Sequence, residues 1–98
     1  MTMKTPDFEW DDSKNLDNIA KHGVSFQDAQ QAFQDEHRVI LNDSLHSDNE
    51  QRYFCLGKVF GEIMTVRFSH RGGKIRIFGA AFWRKGKKRY EKENCIHG

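Results

Sequence analysis

The 98-residue sequence has one proline, Pro6, and only two cysteines, Cys55 and Cys95. Two isolated thiols support neither a disulfide framework nor a zinc site, so both are expected as reduced thiols. No apolar run approaches the ~20 residues that a membrane-spanning helix needs. The N-terminus MTMKTPDFEW has no apolar h-region of a secretory signal. These absences point to a cytoplasmic chain with no membrane role. The five histidines, His22, His37, His46, His70 and His97, form no i,i+4 pair and accompany no Cys cluster, so no metal and no other cofactor is expected. A glycine-rich phosphate loop is missing too, because RGGK at 71–74 lacks the downstream GK[ST]. No Ser or Cys stands in a nucleophile motif, which leaves covalent catalysis without support.

What is present suits a folded globule. Hydrophobic residues make up 37% and aromatics 12%, eight of them Phe. The length allows one modest core and no second one, so residues 1–98 read as a single domain with 1–7 as a loose tail. Charge is unevenly spread. Residues 1–50 hold four Lys/Arg against eleven Asp/Glu, a net of −7, and residues 51–98 hold twelve against three, a net of +9. The stretch IRIFGAAFWRKGKKRY (75–90) carries six cations and no carboxylate. Either the basic half meets an anionic partner, or the halves neutralise each other in the fold.

The expected architecture is α+β: two N-terminal helices, a four-stranded antiparallel sheet and a short basic C-terminal helix. DDSKNLDNIAKHG reads as a helix capped by Asp11 or Asp12 and stopped by Gly23, with Leu16, Ile19 and Ala20 as its apolar stripe. SFQDAQQAFQD reads as a second helix with Ser25 as N-cap. HRVILN (37–42) and the runs QRYFCLG, EIMTVRFSH and KIRIFGA read as strands, with a polar loop DSLHSDNE after the first. A basic helix over roughly 83–93 ends the chain, and Trp83 and Tyr90, seven apart, would dock it on the sheet.

Gly72-Gly73 is a two-residue hairpin signal, so Arg71 should oppose Lys74 and Ser69 should oppose Arg76. Met64, Val66, Phe68, Ile75 and Ile77 then share the core face. If Lys58 to Gly61 form a four-residue loop, Arg52 lies directly across from Arg67, with Glu50 beside it. Arg52, Arg67 and Arg76 would line one solvent-facing patch on three adjacent strands. Like charges opposed on a sheet are destabilising unless something anionic meets them, and the arginine fork matches phosphate. The alternative is that these arginines pair with carboxylates of the acidic half. A helix-turn-helix around KHGVS is excluded, because its second helix has no cation and two aspartates. On the last helix, the cations suit binding of a nucleic acid backbone.

The blocks FEWDDSKNLDNIAKHGVSF, AFQD, HSDNEQRYFCLG and IRIFGAA, followed by a basic helix ending in Tyr90-Glu91, resemble the BrnT family. Those proteins are toxins of type II toxin–antitoxin systems, related in fold to RelE-type ribonucleases. The resemblance implies cleavage of messenger RNA, arrest of translation, and neutralisation by a BrnA-type antitoxin in a hetero-oligomer that binds operator DNA through the antitoxin. It implies no metal in the reaction. The corresponding site would combine Arg52, Arg67 and Arg76 for the phosphorane charge with Glu50 or His22 as base. Lys21, Arg84, Lys85, Lys87, Lys88 and Arg89 would hold the RNA. One departure stands out: the family strand commonly ends I-S-A-R, whereas here Ala81 falls where that Arg would be. Arg84 or Lys85 would then supply the charge. A non-catalytic RNA- or protein-binding module of the same fold is the competing reading.

Overall fold

A computed structural model describes residues 7–46 and 49–95, with nothing resting on the His46 side chain. Residues 1–6 of the expected tail, Ser47 and Asp48 of the polar loop, and His97 lie outside the described residues. The architecture is α+β, built on a five-stranded mixed sheet in the order β1-β5-β4-β3-β2. Its strands are β1 (Phe8–Trp10), β2 (Val39–Asn42), β3 (Arg52–Val59), β4 (Glu62–Arg71) and β5 (Lys74–Ala81). Three helices accompany them: α1 (Asp12–His22), α2 (Phe26–Ala29) and α3 (Arg84–Glu93).

The expected four-stranded antiparallel sheet is therefore corrected by one strand. Phe8-Glu9-Trp10 pairs in parallel with Ile75-Arg76-Ile77. Three residues are too few for a periodicity signal, and their partner lies far along the chain. The second correction concerns register. The turn between β3 and β4 is the two-residue Phe60-Gly61, both at positive φ (52° and 80°), and not a four-residue loop. Arg52 consequently opposes Ser69, and Phe54 opposes Arg67. Phe60 hides the hairpin from a sequence reading, because a bulky residue rarely takes the left-handed conformation. The Gly72-Gly73 hairpin has the expected pairing, Arg71 with Lys74 and Ser69 with Arg76. Beyond it a bulge intervenes: Phe68 opposes Ile77 but Arg67 opposes Gly79, so Phe78 is the extra residue.

One sheet face carries the main core. Met64, Val66, Phe68, Ile75 and Ile77 are buried there as expected, against Phe26, Ala29 and Ala32. The second helix is also shorter than expected: α2 tightens into a 3-10 segment over Gln30–Gln34. Over that segment Ala32, three residues beyond Ala29, stays on the buried side with it, as three residues per turn allows. Ala32 comes so close to β3 that a Cβ on Gly57 would strike its backbone carbonyl. Phe33 bridges Phe8 and Phe68 edge-on at 5.2 and 5.0 Å between ring centroids.

The opposite face was expected to carry a solvent-facing patch of Arg52, Arg67 and Arg76. Half of it is covered by α3, which buries Tyr90 against Leu56 and Ile63. Gly86 allows this, because a Cβ there would collide with the Thr65 hydroxyl. Tyr90 is 3% exposed and docks the helix as expected, whereas Trp83 is the N-cap residue of α3 and 41% exposed. The Tyr90 hydroxyl donates to Asp35 Oδ2 at 2.7 Å, and the Lys58 N–H donates to the same oxygen at 2.8 Å. The His37 N–H donates to the other oxygen at 2.8 Å. Burial alone would raise the Asp35 pKa, but the hydrogen bonds from Tyr90, His37 and Lys58 outweigh it and leave the carboxyl below its ordinary value. Burial, with the adjoining carboxylate, pushes the Tyr90 phenol up to about 12.

Tyr90→Phe should therefore lower unfolding free energy by about 1.5–3 kcal/mol at neutral pH, the usual worth of a hydrogen bond to a charged group. Because the folded-state pKa of Asp35 is depressed, this contribution is present above the ordinary carboxylate pKa. It fades as pH falls through the folded value. Urea unfolding of both proteins at neutral and strongly acidic pH checks this: the gap between them should narrow in acid.

Candidate functional site

Above the bulge, the outer edge of β5 has no strand beside it among the described residues, because β1 ends at the pairing of Trp10 with Ile77. Its backbone needs partners. α1 supplies them. Asn18 Nδ2 donates to the Ala80 carbonyl at 2.8 Å and to the Val24 carbonyl at 2.9 Å, and the Ala80 N–H donates to Asn18 Oδ1 at 3.2 Å. A carboxamide thus stands in for a neighbouring peptide. This overturns the expected packing of α1. Asn18 is its buried residue at 8% exposure, while Leu16 and Ile19 face solvent at 66% and 41%. The helix turns a polar face to the protein because the strand edge it meets is polar. Both of its ends are as expected: Asp11 accepts from the Ser13 and Lys14 N–H groups, and Gly23 closes it at φ 68°.

Docking α1 in this way leaves a cleft of about 240 Å³ between it, the bulged end of β5 and the start of α3. Lys14, Asp17, Lys21 and His22 line it from the helix, Arg67 and Phe78 from the sheet, and Trp83 from the head of α3. His22 and Trp83 meet edge-on at 6.3 Å between centroids. Three cations and an imidazole against one carboxylate make the cleft electropositive. It can hold a phosphate between its walls with an aromatic face beside it, an arrangement suited to a nucleotide.

Of the site residues expected from sequence, Lys21, His22 and Arg67 come together here. Arg52 and Arg76 flank Ser69 in one cross-strand row on the same sheet face, so the three arginines do share a face. They are not bare. Arg76 is held by Glu9 at 2.9 Å, and Arg67 lies 3.7 Å from the buried Asp43. Arg52 packs its guanidinium over the Phe78 ring at 4.4 Å, with Lys14 over the same ring at 5.4 Å. The Ser69 hydroxyl, fully buried between Arg52 and Arg76, has no partner among the described residues. Glu50 pairs with Arg71 at 3.1 Å and does not line the cleft. The α3 cations divide. Arg84 and Lys87 lie on the side facing Lys58 and Glu62, while Lys85, Lys88 and Arg89 face Leu41 and Leu56. Neither Arg84 nor Lys85 lines the cleft, and Ala81 is buried opposite Thr65.

Lys14, Asp17, Phe78 and Trp83 were missed by the sequence reading. The signal for the first two was available: Lys14, Asp17, Asn18, Lys21 and His22 recur at helical spacing on α1. Phe78 needed the bulge, and Trp83 needed the helix start. Burial pushes the Cys55 thiol up to about 12, which removes its thiolate chemistry. No group of three His, Cys, Asp or Glu that could hold a metal forms among the described residues, and none of the helices described is long and apolar enough to cross a membrane.

Asn18→Leu should cost at least about 3 kcal/mol, since it leaves three buried backbone groups without partners at about 1–3 kcal/mol each. The midpoint of urea unfolding measures this, and a change below ~1 kcal/mol would mean that α1 is held by something else.

Comparison with curated protein sequences gives no significant match. The model of one family, described as ribonuclease toxin, BrnT, of type II toxin–antitoxin system, matches residues 10–87. The matched span contains every cleft residue and ends within α3, ahead of Tyr90. The chain belongs to the BrnT family of type II toxin–antitoxin ribonuclease toxins.

Proposed function

We propose that this protein is an endoribonuclease that cleaves RNA in the cleft between α1 and the sheet, without a metal ion, and thereby arrests translation. The observation that carries this reading is the meeting of His22 with Lys14, Lys21 and Arg67 beside the exposed Trp83. His22 takes the proton of the ribose 2′-hydroxyl. A bond forms between the 2′-oxygen and phosphorus as the bond from phosphorus to the 5′-oxygen breaks. A 2′,3′-cyclic phosphate remains on one fragment, and the departing 5′-oxygen gains a proton from the ammonium groups of the cleft. Arg67 stabilises the charge that builds on phosphorane oxygens, preorganised by Asp43. Arg52 and Arg76, steadied by Phe78 and Glu9, hold an adjoining phosphate, and Arg84 and Lys87 add salt-dependent attraction. Glu50, engaged by Arg71, has no role in proton transfer.

A BrnA-type antitoxin neutralises the protein in a complex that binds operator DNA through the antitoxin. The competing reading, a non-catalytic binding module, draws on Ala81, which brings no cation to the strand end.

Single-turnover cleavage of RNA at saturating protein separates the two readings. Arg67→Lys keeps a charge beside buried Asp43 while losing the bidentate fork, and should slow cleavage about 10²–10³-fold, as removal of one transition-state donor does. His22→Asn should slow it by a similar factor, about 10²–10⁴ for a general base. A parent protein that binds RNA but leaves it intact would favour the binding module. In cells, induction of the toxin alone should slow growth and lower translation, and its antitoxin should restore both.

A further inference from the structure

On the same sheet face as the cleft, but beyond Trp83, a groove of about 460 Å³ runs between α3 and the edge strand β2. Its floor is Leu41, Phe54 and Leu56, and its rim is the series Lys85, Lys88, Arg89 and Lys92. Those four occupy i, i+3, i+4 and i+7 positions, so they form one ridge along α3, about 10 Å long at 1.5 Å per residue. Among the described residues, no carboxylate lines this groove. Arg89 has its own partner, Glu93, at 3.0 Å, but the pair is exposed and weakly held.

We infer that this groove is the docking site for an acidic amphipathic helix of a partner protein, namely a segment of the antitoxin that the family implies. Two features select that chemistry. An apolar floor of Leu41, Phe54 and Leu56, two of its three side chains aliphatic, takes the aliphatic side chains of a helix face. A cationic ridge at helical pitch, with no acid among the described residues of the groove, complements carboxylates repeating at the same pitch on a helix laid beside α3. A second copy of this chain fits less well. Its exposed Leu16 and Ile19 lie on α1, whose two aspartates are balanced by Lys14 and Lys21. The docked helix would abut Trp83, which lines groove and cleft alike, so occupation of the groove would narrow entry to the cleft. This inference rests on the toxin reading only for the source of the helix.

The test uses the full chain and a synthetic helical peptide of about 16 residues, some four turns. The peptide carries Leu along one face and Glu along the other. A peptide of equal composition in shuffled order is the control. Calorimetry at low and physiological salt should show the ordered peptide binding at least about tenfold more tightly than the shuffled one, as loss of a buried apolar anchor costs. Lys92→Glu and Leu41→Asn should each weaken it about tenfold. Lys92 is exposed, so Lys92→Glu keeps the test valid should Leu41→Asn unfold. Both variants should cleave RNA at saturation as the parent does. Equal binding of the two peptides would reduce the groove to a charged surface and overturn the inference. So would unchanged binding by Lys92→Glu, a single-stranded oligonucleotide whose affinity Leu41→Asn and Lys92→Glu lower as much as they lower the peptide's, or self-association of the protein that Lys92→Glu abolishes. A parent that binds the ordered peptide yet cleaves no RNA would count against the ribonuclease reading alone.

Discussion

Asn18 presents its carboxamide to the Ala80 peptide as a neighbouring strand would, donating to the carbonyl and accepting from the N–H. A third bond, to the Val24 carbonyl, ties the start of the next segment to the same side chain. The free edge of β5 would otherwise bury backbone groups that lack partners, each a cost of about 1–3 kcal/mol. Everything in the cleft follows from this contact. It fixes which face of α1 points inward, and so brings Lys14, Lys21 and His22 opposite Arg67 and Trp83. It also leaves Leu16 and Ile19 outside, where an amphipathic reading of the helix would never put them.

The second constraint is electrostatic. A sheet face that gathers Arg52, Arg67 and Arg76 stores repulsion. Of the two outcomes considered from sequence, the structure shows the internal pairing. The acidic half does neutralise part of the basic half, through Glu9 with Arg76, Asp43 with Arg67 and Glu50 with Arg71. Yet the pairings of Arg67 and Arg76 also aim their guanidinium groups, and half-buried arginines on a rigid strand lose little freedom when an anion arrives. The charge of the cleft itself comes largely from α1, a segment of the acidic half. The basic C-terminal helix, which dominates the sequence by eye, lies mostly elsewhere.

Much of this was legible wherever the determinants are local. Gly72-Gly73 announced its hairpin and the core face with it, Asp11, Gly23 and Ser25 announced helix ends, and Tyr90 announced the docking of α3. The failures share a different cause. β1 has three residues and a partner some sixty-seven positions away, as the bond from Arg76 to Glu9 spans. Phe60 adopts a left-handed conformation that its side chain disfavours, which moved Arg52 two residues out of its expected register. The bulge at Phe78 and the buried Asn18 arise from tertiary contacts at a strand edge, for which the sequence carries no periodic signal. The family resemblance, drawn from blocks spread along the chain, agreed with the family match over residues 10–87.

The most direct measurement of the central claim is an NMR titration of the protein with an RNA strand rendered uncleavable by 2′-O-methylation of every ribose. If the cleft holds the reacting phosphate, the Trp83 indole and the His22 ring shift first, followed by the Gly79 and Ala80 amides. The amides of the α3 segment beyond Lys88 should stay largely unmoved. Large shifts along α3 and β2, with Trp83 and His22 unaffected, would contradict the account.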